Sequence, residues 1–495
     1  MNEEMALEST PNIVILVLDT ARARNFSCYG HSRQTTPTID SIADEGTKFK
    51  EVTSVSPWTL PSHASLFTGV PPMVHQSNSL NSSLPRSLET LASYLNRYGY
   101  RTVGMANNPW FSTEFGLTRG FDEFHELFSP FGGDSYRNFT SLLTDQRRSL
   151  PNRLATLLSE QSVPSLIRNG MNAAYRQLDL QDDDGAKTAV SKSTDIIGKD
   201  QPYLLFVNFL EPHLPYEPPE SHRRDFIPEK ISDSKVDNVN QNAREYNVQN
   251  IDMDESDFDI LERLYDAEIK YVDERIGDIV SALKQTGDWD ETLLFILSDH
   301  GENIGDHQLM SHNYSLHETL TRVPLIVHFP EQIGKTADTD SRVSTLDIPA
   351  TIADIQKDVY DAEFEEAQSG SSLLGGDDSR SIVAEYLNPV PPVEMMEERC
   401  ENPEFDVSVF NKELRAIYKK GYKFVRGSDE TRALYKVTED RDEEDNLVEI
   451  KPEMASEYEF HLDEWVKHHE REISEEHGAN VQENVEKKLE DLGYL

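Results

Sequence analysis

The sequence has almost no cysteine. Cys28 and Cys400 are the only two in 495 residues, and a pair so far apart makes no disulfide framework. Basic side chains are scarce as well: 47 Lys and Arg stand against 90 Asp and Glu, for a net charge of −43. A field of that sign repels nucleic acid and anionic membrane surfaces, so neither is expected as a partner. Long apolar runs are missing. No stretch reaches the roughly 18 apolar residues of a membrane span, and Ile13–Leu18 is too short even for a signal-peptide core. Met1–Pro11 carries Glu3, Glu4 and Glu8 and no basic segment, so the expected location is cytoplasmic. Carboxylate-rich surfaces stay hydrated in concentrated salt, where their repulsion is screened. The composition therefore points to a salt-rich cytosol of the haloarchaeal type.

What is present is a series of buried-strand signals. Asn12–Leu18 is a continuous apolar run that delivers Asp19 at its end. Tyr203–Leu210 runs into Glu211 and His213, and Thr292–Leu297 into Ser298, Asp299 and His300. Runs without alternation read as parallel strands covered on both faces. Thr102–Ala106 and Val323–Phe329 read as further strands. Pro37–Gly46 and Leu88–Tyr98 read as helices. Phe258–Leu283 reads as a long helix, with apolar residues at 261, 264, 265, 269, 272, 276, 280 and 283. Strands alternating with helices, with polar residues at strand ends, predict a doubly wound α/β sheet with its site along that edge.

Other stretches read as insertions. Residues 140–200 are mixed and expected to be helical. Residues 228–257, acidic and Asn-rich, are expected to be a solvated loop or lid that shapes a pocket. Residues 361–380 read as a linker. Leu414–Tyr418, Tyr422–Val425 and Ala433–Val437 read as strands of a small antiparallel unit, and the last 40 or so residues as charged helix.

Single motifs leave their chemistry open. Asp19 suits a metal ligand or a helix cap. Thr59 sits on a Pro-punctuated turn before Ser62–Thr68, as a nucleophile or as an N-cap. The adjacent Asp299 and His300 offer two ligands to one metal. His213, between Pro212 and Pro215, suits a general acid or a structural histidine.

Together the blocks resemble the sulfatase branch of the alkaline phosphatase superfamily. Asp19 to Arg22 and Ser27 to Gly30 resemble its first strand and metal loop. Thr59-Leu-Pro61-Ser-His63 through Gly69 resembles its nucleophile signature, Cys or Ser, any, Pro, any, Arg. Gly120 to Asp122, Glu211 to Tyr216, Ser298 to Glu302 and Arg322 to Ile326 resemble later blocks, and Tyr422–Val425 with Glu430–Leu447 its C-terminal part. The resemblance implies a large, mostly parallel α/β domain over residues 1–370 and a small C-terminal α+β subdomain over 371–495. It implies hydrolysis or transfer of a small-molecule sulfate or phosphate ester, with one divalent cation (Ca²⁺, Mg²⁺ or Mn²⁺) held by Asp19, Asp299, His300 and Thr59. Thr59 becomes the nucleophile. His213 and His312 serve the transferring group and leaving oxygen, His63 takes the bracing position, and Asn107 and Arg22 contact substrate.

Three departures matter. Thr59 replaces the Cys or Ser that relatives convert to formylglycine, and its β-carbon already bears a methyl group, so no aldehyde forms there. His63 replaces an arginine, losing a bidentate cation. Thr20 follows Asp19 where relatives often carry a second Asp. Two other readings therefore stand. One is a two-metal phosphodiesterase or phospho-group transferase with Zn²⁺ and a Thr nucleophile, whose second metal would draw ligands from among His63, His213, Asp306, His307 and His312. The other is a non-catalytic binding protein of the same fold.

Overall fold

The computed structural model describes residues 10–111, 113–127, 183–199, 201–330, 339–356, 364, 367–375 and 380–470. Ten strands precede residue 345: β1 (Asn12–Leu18), β2 (Thr47–Thr53), β3 (Arg101–Ala106), β4 (Glu123–Glu126), β5 (Tyr203–Phe209), β6 (Thr292–Leu297), β7 (Asn303–Ile304), β8 (Met310–Ser311), β9 (Leu325–His328) and β10 (Thr339–Ser344). Eight of them form one sheet in the order β10-β2-β9-β6-β1-β5-β3-β4, and β7 and β8 make a separate hairpin. Central β1 is parallel to both β5 and β6. Only β9 runs against its sheet neighbours. Along β1, Ile13, Ile15 and Val17 enter one apolar cluster, while Val14, Leu16 and Leu18 enter another. Layers thus cover both faces, which is why the run shows no alternation. The doubly wound, mostly parallel sheet is as expected. Its register leaves Asp19, Glu211 and Asp299 just beyond the ends of three adjacent parallel strands, on one edge.

The long helix covers Glu255–Thr286, a turn beyond the expected range. Asp254 starts it with a capping box, and Gly287 at φ 87° stops it. Its apolar stripe from Leu261 to Leu283 is buried against the sheet. Each such side chain contributes roughly 1.5–3 kcal/mol, so packing rather than propensity holds the helix.

A second sheet joins β11 (Ile382–Tyr386), β12 (Leu414–Lys419), β13 (Tyr422–Gly427) and β14 (Arg432–Tyr435) in antiparallel order. One face, with Ala384, Ala416 and Tyr418, shares the apolar cluster of Ile13 and Phe206. The other packs Val383, Ile417 and Phe424 against Ala455, Tyr458 and Leu462 of the helix Pro452–Glu470.

Two expectations are corrected. Residues 228–257 are not simply a solvated loop. They hold two short helices, Asp233–Asp237 and Ala243–Asn247, started by Ser232 and Asn242, whose side chains accept from Lys235 N and Glu245 N. The Ser and Asn that suggested a loop are caps. Residues 361–380 are not a free linker over their described part, where Phe364 and Leu373 are buried and Ser371 N donates to Asp347 Oδ1 at 2.9 Å. Of the expected helical insertion 140–200, Ala186–Thr194 is a helix and residues 140–182 lie outside the described residues, as do 471–495 of the terminal segment. No helix among the described residues is long and apolar enough to cross a membrane.

Candidate active site

Two adjacent strand ends bring three candidate ligands together. Asp19 follows β1, and Asp299 and His300 follow β6. One donor atom from each lies within 4.8 Å of the others, and all three side chains are buried. Asp299 Oδ1 accepts from His300 N at 3.0 Å and Thr20 N at 3.3 Å. Asp299 Oδ2 and Asp19 Oδ1 have no hydrogen-bond partner among the described residues. Burial pushes both carboxyls above the usual range, Asp299 far above it with Asp19 as a further cause. His300 donates Nδ1–H to the Gly301 carbonyl at 2.9 Å, which leaves Nε2 as a lone-pair donor facing the carboxylates. Burial holds its pKa well below the ordinary value, so the ring is neutral. Two unsatisfied buried carboxylates beside a neutral imidazole fit a divalent cation, which removes the electrostatic penalty of burying them together.

Thr59 is the first residue of the helix Thr59–Thr68 and is fully buried. It is not the N-cap, which is Trp58. Its Oγ1 lies 3.3 Å from His300 Nε2. Ser62, one turn on, donates to the Asp299 carbonyl at 2.8 Å and ties the helix to the strand end. The helix N-terminus adds partial positive charge where an anion must sit.

Asn108 was not among the expected residues. Its Nδ2 donates to Asp19 Oδ2 at 2.7 Å and lies 3.4 Å from Thr59 Oγ1. Asn107, expected to contact substrate, lies beside Gly185 at the start of the helix Ala186–Thr194, its Oδ1 buried and without a hydrogen-bond partner among the described residues. Consecutive residues leaving a strand face opposite ways, so the Asn-Asn pair offers one side chain to the site. The pair itself was the legible signal.

Thr20 takes a left-handed backbone at φ 60°, uncommon for a β-branched residue. Its hydroxyl donates to the Pro212 carbonyl at 3.1 Å.

His213 and His312 stand together, ring centroids 5.2 Å apart, with His312 also 4.6 Å from His300. His213 donates Nδ1–H to the Leu214 carbonyl at 2.6 Å. His312 Nδ1 meets Glu302 Oε1 at 3.3 Å. Burial raises Glu302 to about 8 and holds His312 well below its ordinary value. A proton on Oε1 directed at Nδ1 would leave His312 its hydrogen on Nε2. Both histidines line a cavity of about 730 Å³ whose far wall includes Asn240, Gln241 and Arg244, from the segment expected to shape a pocket.

Two expected residues take other places. His63 is sealed among Phe67, Phe111 and Phe206. Its Nδ1 donates to the Thr59 carbonyl at 2.9 Å, with Asp299 Oδ2 at 3.4 Å. Burial pushes its pKa down to about 4, so it is a neutral packing element rather than a bracing cation. Arg22 is buried and committed to Asp306 at 3.0 Å, Glu262 at 3.4 Å and Asn25 at 2.9 Å. A guanidinium so engaged ties the chain that leaves β1 to Asp306 and to Glu262 of the long helix.

A buried hydroxyl, two carboxylates and an imidazole at the carboxyl edge of a doubly wound sheet define a hydrolase of the sulfatase type. The Sulfatase family pattern matches residues 11–357, and the chain belongs to that family. The uncharacterized sulfatase YidJ of Escherichia coli (strain K12) is 26% identical over 399 residues, which cover 76% of this chain and 73% of that protein. The arylsulfatase of Clostridium perfringens is 24% identical over 364 residues, covering 70% and 74%. Among solved structures, the phosphonate monoester hydrolase of Agrobacterium radiobacter shares the fold at a TM-score of 0.66 and 20% identity, over 93% of this chain and 96% of that one.

Proposed function

We propose that the protein is a metal-dependent hydrolase of phosphate, phosphonate or sulfate esters that uses Thr59 as its nucleophile. The observation that carries this reading is Thr59 Oγ1, buried 3.3 Å from His300 Nε2 beside Asp19 and Asp299. Asp19 Oδ1, Asp299 Oδ2 and His300 Nε2 would hold one divalent cation, whose charge would favour the ionised hydroxyl of Thr59.

The chain's own residues do the rest. Helix Thr59–Thr68 and Asn108 fix Oγ1 for in-line attack. The new bond joins Oγ1 to phosphorus or sulfur as the bond to the ester oxygen breaks. His312 gives its Nε2 proton to that leaving oxygen, with Glu302 Oε1 as the proton reserve. His213 supports the same oxygen from the cavity wall. Water then attacks phosphorus or sulfur, returns a proton to the site, and frees Thr59.

Thr59 itself favours phosphorus. A formylglycine hydrate has a second hydroxyl to expel sulfate, whereas a threonine ester opens only by attack at its central atom, the route of phosphoryl transfer. Likeness to the arylsulfatase favours sulfate as the second reading. The net charge of −43 supports a salt-rich cytoplasm as the working compartment.

The test is turnover of chromogenic phosphate monoester, phosphodiester, phosphonate monoester and sulfate ester in high KCl, after chelation and re-addition of Ca²⁺, Mg²⁺, Mn²⁺ or Zn²⁺. Metal-restored turnover supports the reading, and the preferred ester identifies the central atom. Well-folded protein that turns over no ester with any cation contradicts it.

A further inference from the structure

We propose that Arg244, backed by Arg399, binds a second anionic group on the leaving side of the ester, a role that rests on the catalytic reading in which the leaving oxygen sits beside His213 and His312. The preferred substrate is then the ester of an acid-bearing alcohol or phenol. Both histidines and both arginines line the same cavity of about 730 Å³. A space of that size holds a leaving group as large as a substituted ring.

The wall that carries Arg244 is pinned to both histidine loops. Gln241 Oε1 accepts from Tyr216 N at 2.7 Å and its Nε2 donates to the Tyr216 carbonyl at 3.3 Å, just after His213 in the chain. Asn247 Nδ2 donates to the Met310 carbonyl at 3.0 Å and its Oδ1 accepts from Met310 N at 2.8 Å, just before His312. Arg244 lies between these two anchors, in the helix Ala243–Asn247. Arg399 ends the helix Val393–Arg399, with its Nη1 3.5 Å from Glu245 Oε1. Its carbonyl accepts from Asn250 Nδ2 at 2.8 Å. Two guanidinium groups thus reach one cavity from adjoining segments that are tied to each other and to the histidine loops.

The charge balance of the lining runs against that of the chain. The sequence has 47 Lys and Arg against 90 Asp and Glu, yet among the described residues this lining holds two arginines and one acid. That acid, Asp237, accepts from Arg223 Nη2 at 2.6 Å. Arg244 is half-buried beside Tyr314, a buried residue of the same lining whose phenol is raised by burial and lowered again by the arginine's charge. A guanidinium offers paired N–H donors to a carboxylate or to a tetrahedral oxyanion. Salt screens such a pair less in a partly enclosed cavity than on the open surface.

The test is calorimetric titration of the full chain in high KCl with 4-hydroxybenzoate, 4-hydroxybenzenesulfonate and neutral 4-hydroxybenzamide. Wild type should bind at least one of the acids about 10-fold more tightly than the amide, and the stronger of the two tells a carboxylate from a tetrahedral partner. Arg244→Gln should bring that ratio to within about twofold, while Arg244→Lys, a charge without the fork, should keep part of it. Circular dichroism checks folding. The 4-carboxyphenyl and 4-carbamoylphenyl esters, followed by release of phosphate or sulfate, should show the same preference in kcat/KM. Calorimetry needs no turnover, so acid binding by a protein that cleaves no ester would overturn the catalytic reading and leave the anion pocket standing. Equal affinity for acids and amide in wild type, or a preference that survives intact in Arg244→Gln, overturns the proposal.

Discussion

Asn108 Nδ2 lies 2.7 Å from Asp19 Oδ2 and 3.4 Å from Thr59 Oγ1, so one amide holds the Asp19 carboxylate and the Thr59 hydroxyl in a single geometry. Removing it frees both. Asn108→Ala should lower kcat/KM by about 10–100-fold, the usual loss when an outer support of a ligand is deleted. Asn107→Ala, on the opposite side of the chain, should leave kcat/KM within a few-fold. Steady-state kinetics of the two variants check the assignment.

Arg22 is engaged with Asp306 and Glu262 from a fully buried position. Deleting it leaves Asp306 to Arg24 at 2.5 Å and Glu262 to Arg33 at 3.7 Å, and empties the buried position that joins them. Arg22→Ala should cost about 1–3 kcal/mol, less than a broken buried pair, because each carboxylate keeps a second cation and some exposure. Urea denaturation measures this. A rise in KM with unchanged stability would instead return Arg22 to substrate contact.

His75 sets an acid limit on stability. Its Nδ1 accepts from Ser77 N at 3.0 Å and its Nε2–H donates to Ser65 Oγ at 3.0 Å, so the ring is held neutral. Burial pushes its pKa down to about 3 from 6.5. The unfolded chain takes up a proton below pH 6.5 that the folded chain refuses, so stability falls as pH drops through this window. Between pH 7 and pH 5 the loss from this residue is about 2 kcal/mol. His75→Gln should show a shallower dependence over the same range in urea melts.

If His312 protonates the leaving oxygen as proposed, its value depends on the leaving group. His312→Ala should slow esters of poor leaving groups, such as aliphatic alcohols, by about 10²–10⁴-fold. It should slow nitrophenyl esters much less, because that oxygen departs without a proton. Equal slowing of both series would assign His312 a purely structural part.

Much of this arrangement is legible in the amino-acid order. The unalternating runs at Asn12, Tyr203 and Thr292 mark covered parallel strands, and their polar successors Asp19, His213, Asp299 and His300 fall on one edge because parallel strands end together. Asn108 was hidden because a strand's exit angle decides which of two adjacent asparagines faces inward. Arg22 and His63 were misplaced for another reason. Charge and position in a motif say nothing of the partners supplied by Asp306, 284 residues away, or by the rings of Phe111 and Phe206. The helices within 228–257 were masked by composition, since Ser232 and Asn242 are equally good in loops and at caps.

The most direct test replaces the hydroxyl itself. Thr59→Ala and Thr59→Ser would be assayed beside wild type on the preferred ester, with the restoring cation present and circular dichroism as the control for folding. Thr59→Ala should lose at least about 10³-fold in kcat, while Thr59→Ser, which keeps the oxygen, should retain measurable turnover. Undiminished turnover by Thr59→Ala would show that the nucleophile lies elsewhere and would rule out Thr59 as the attacking group.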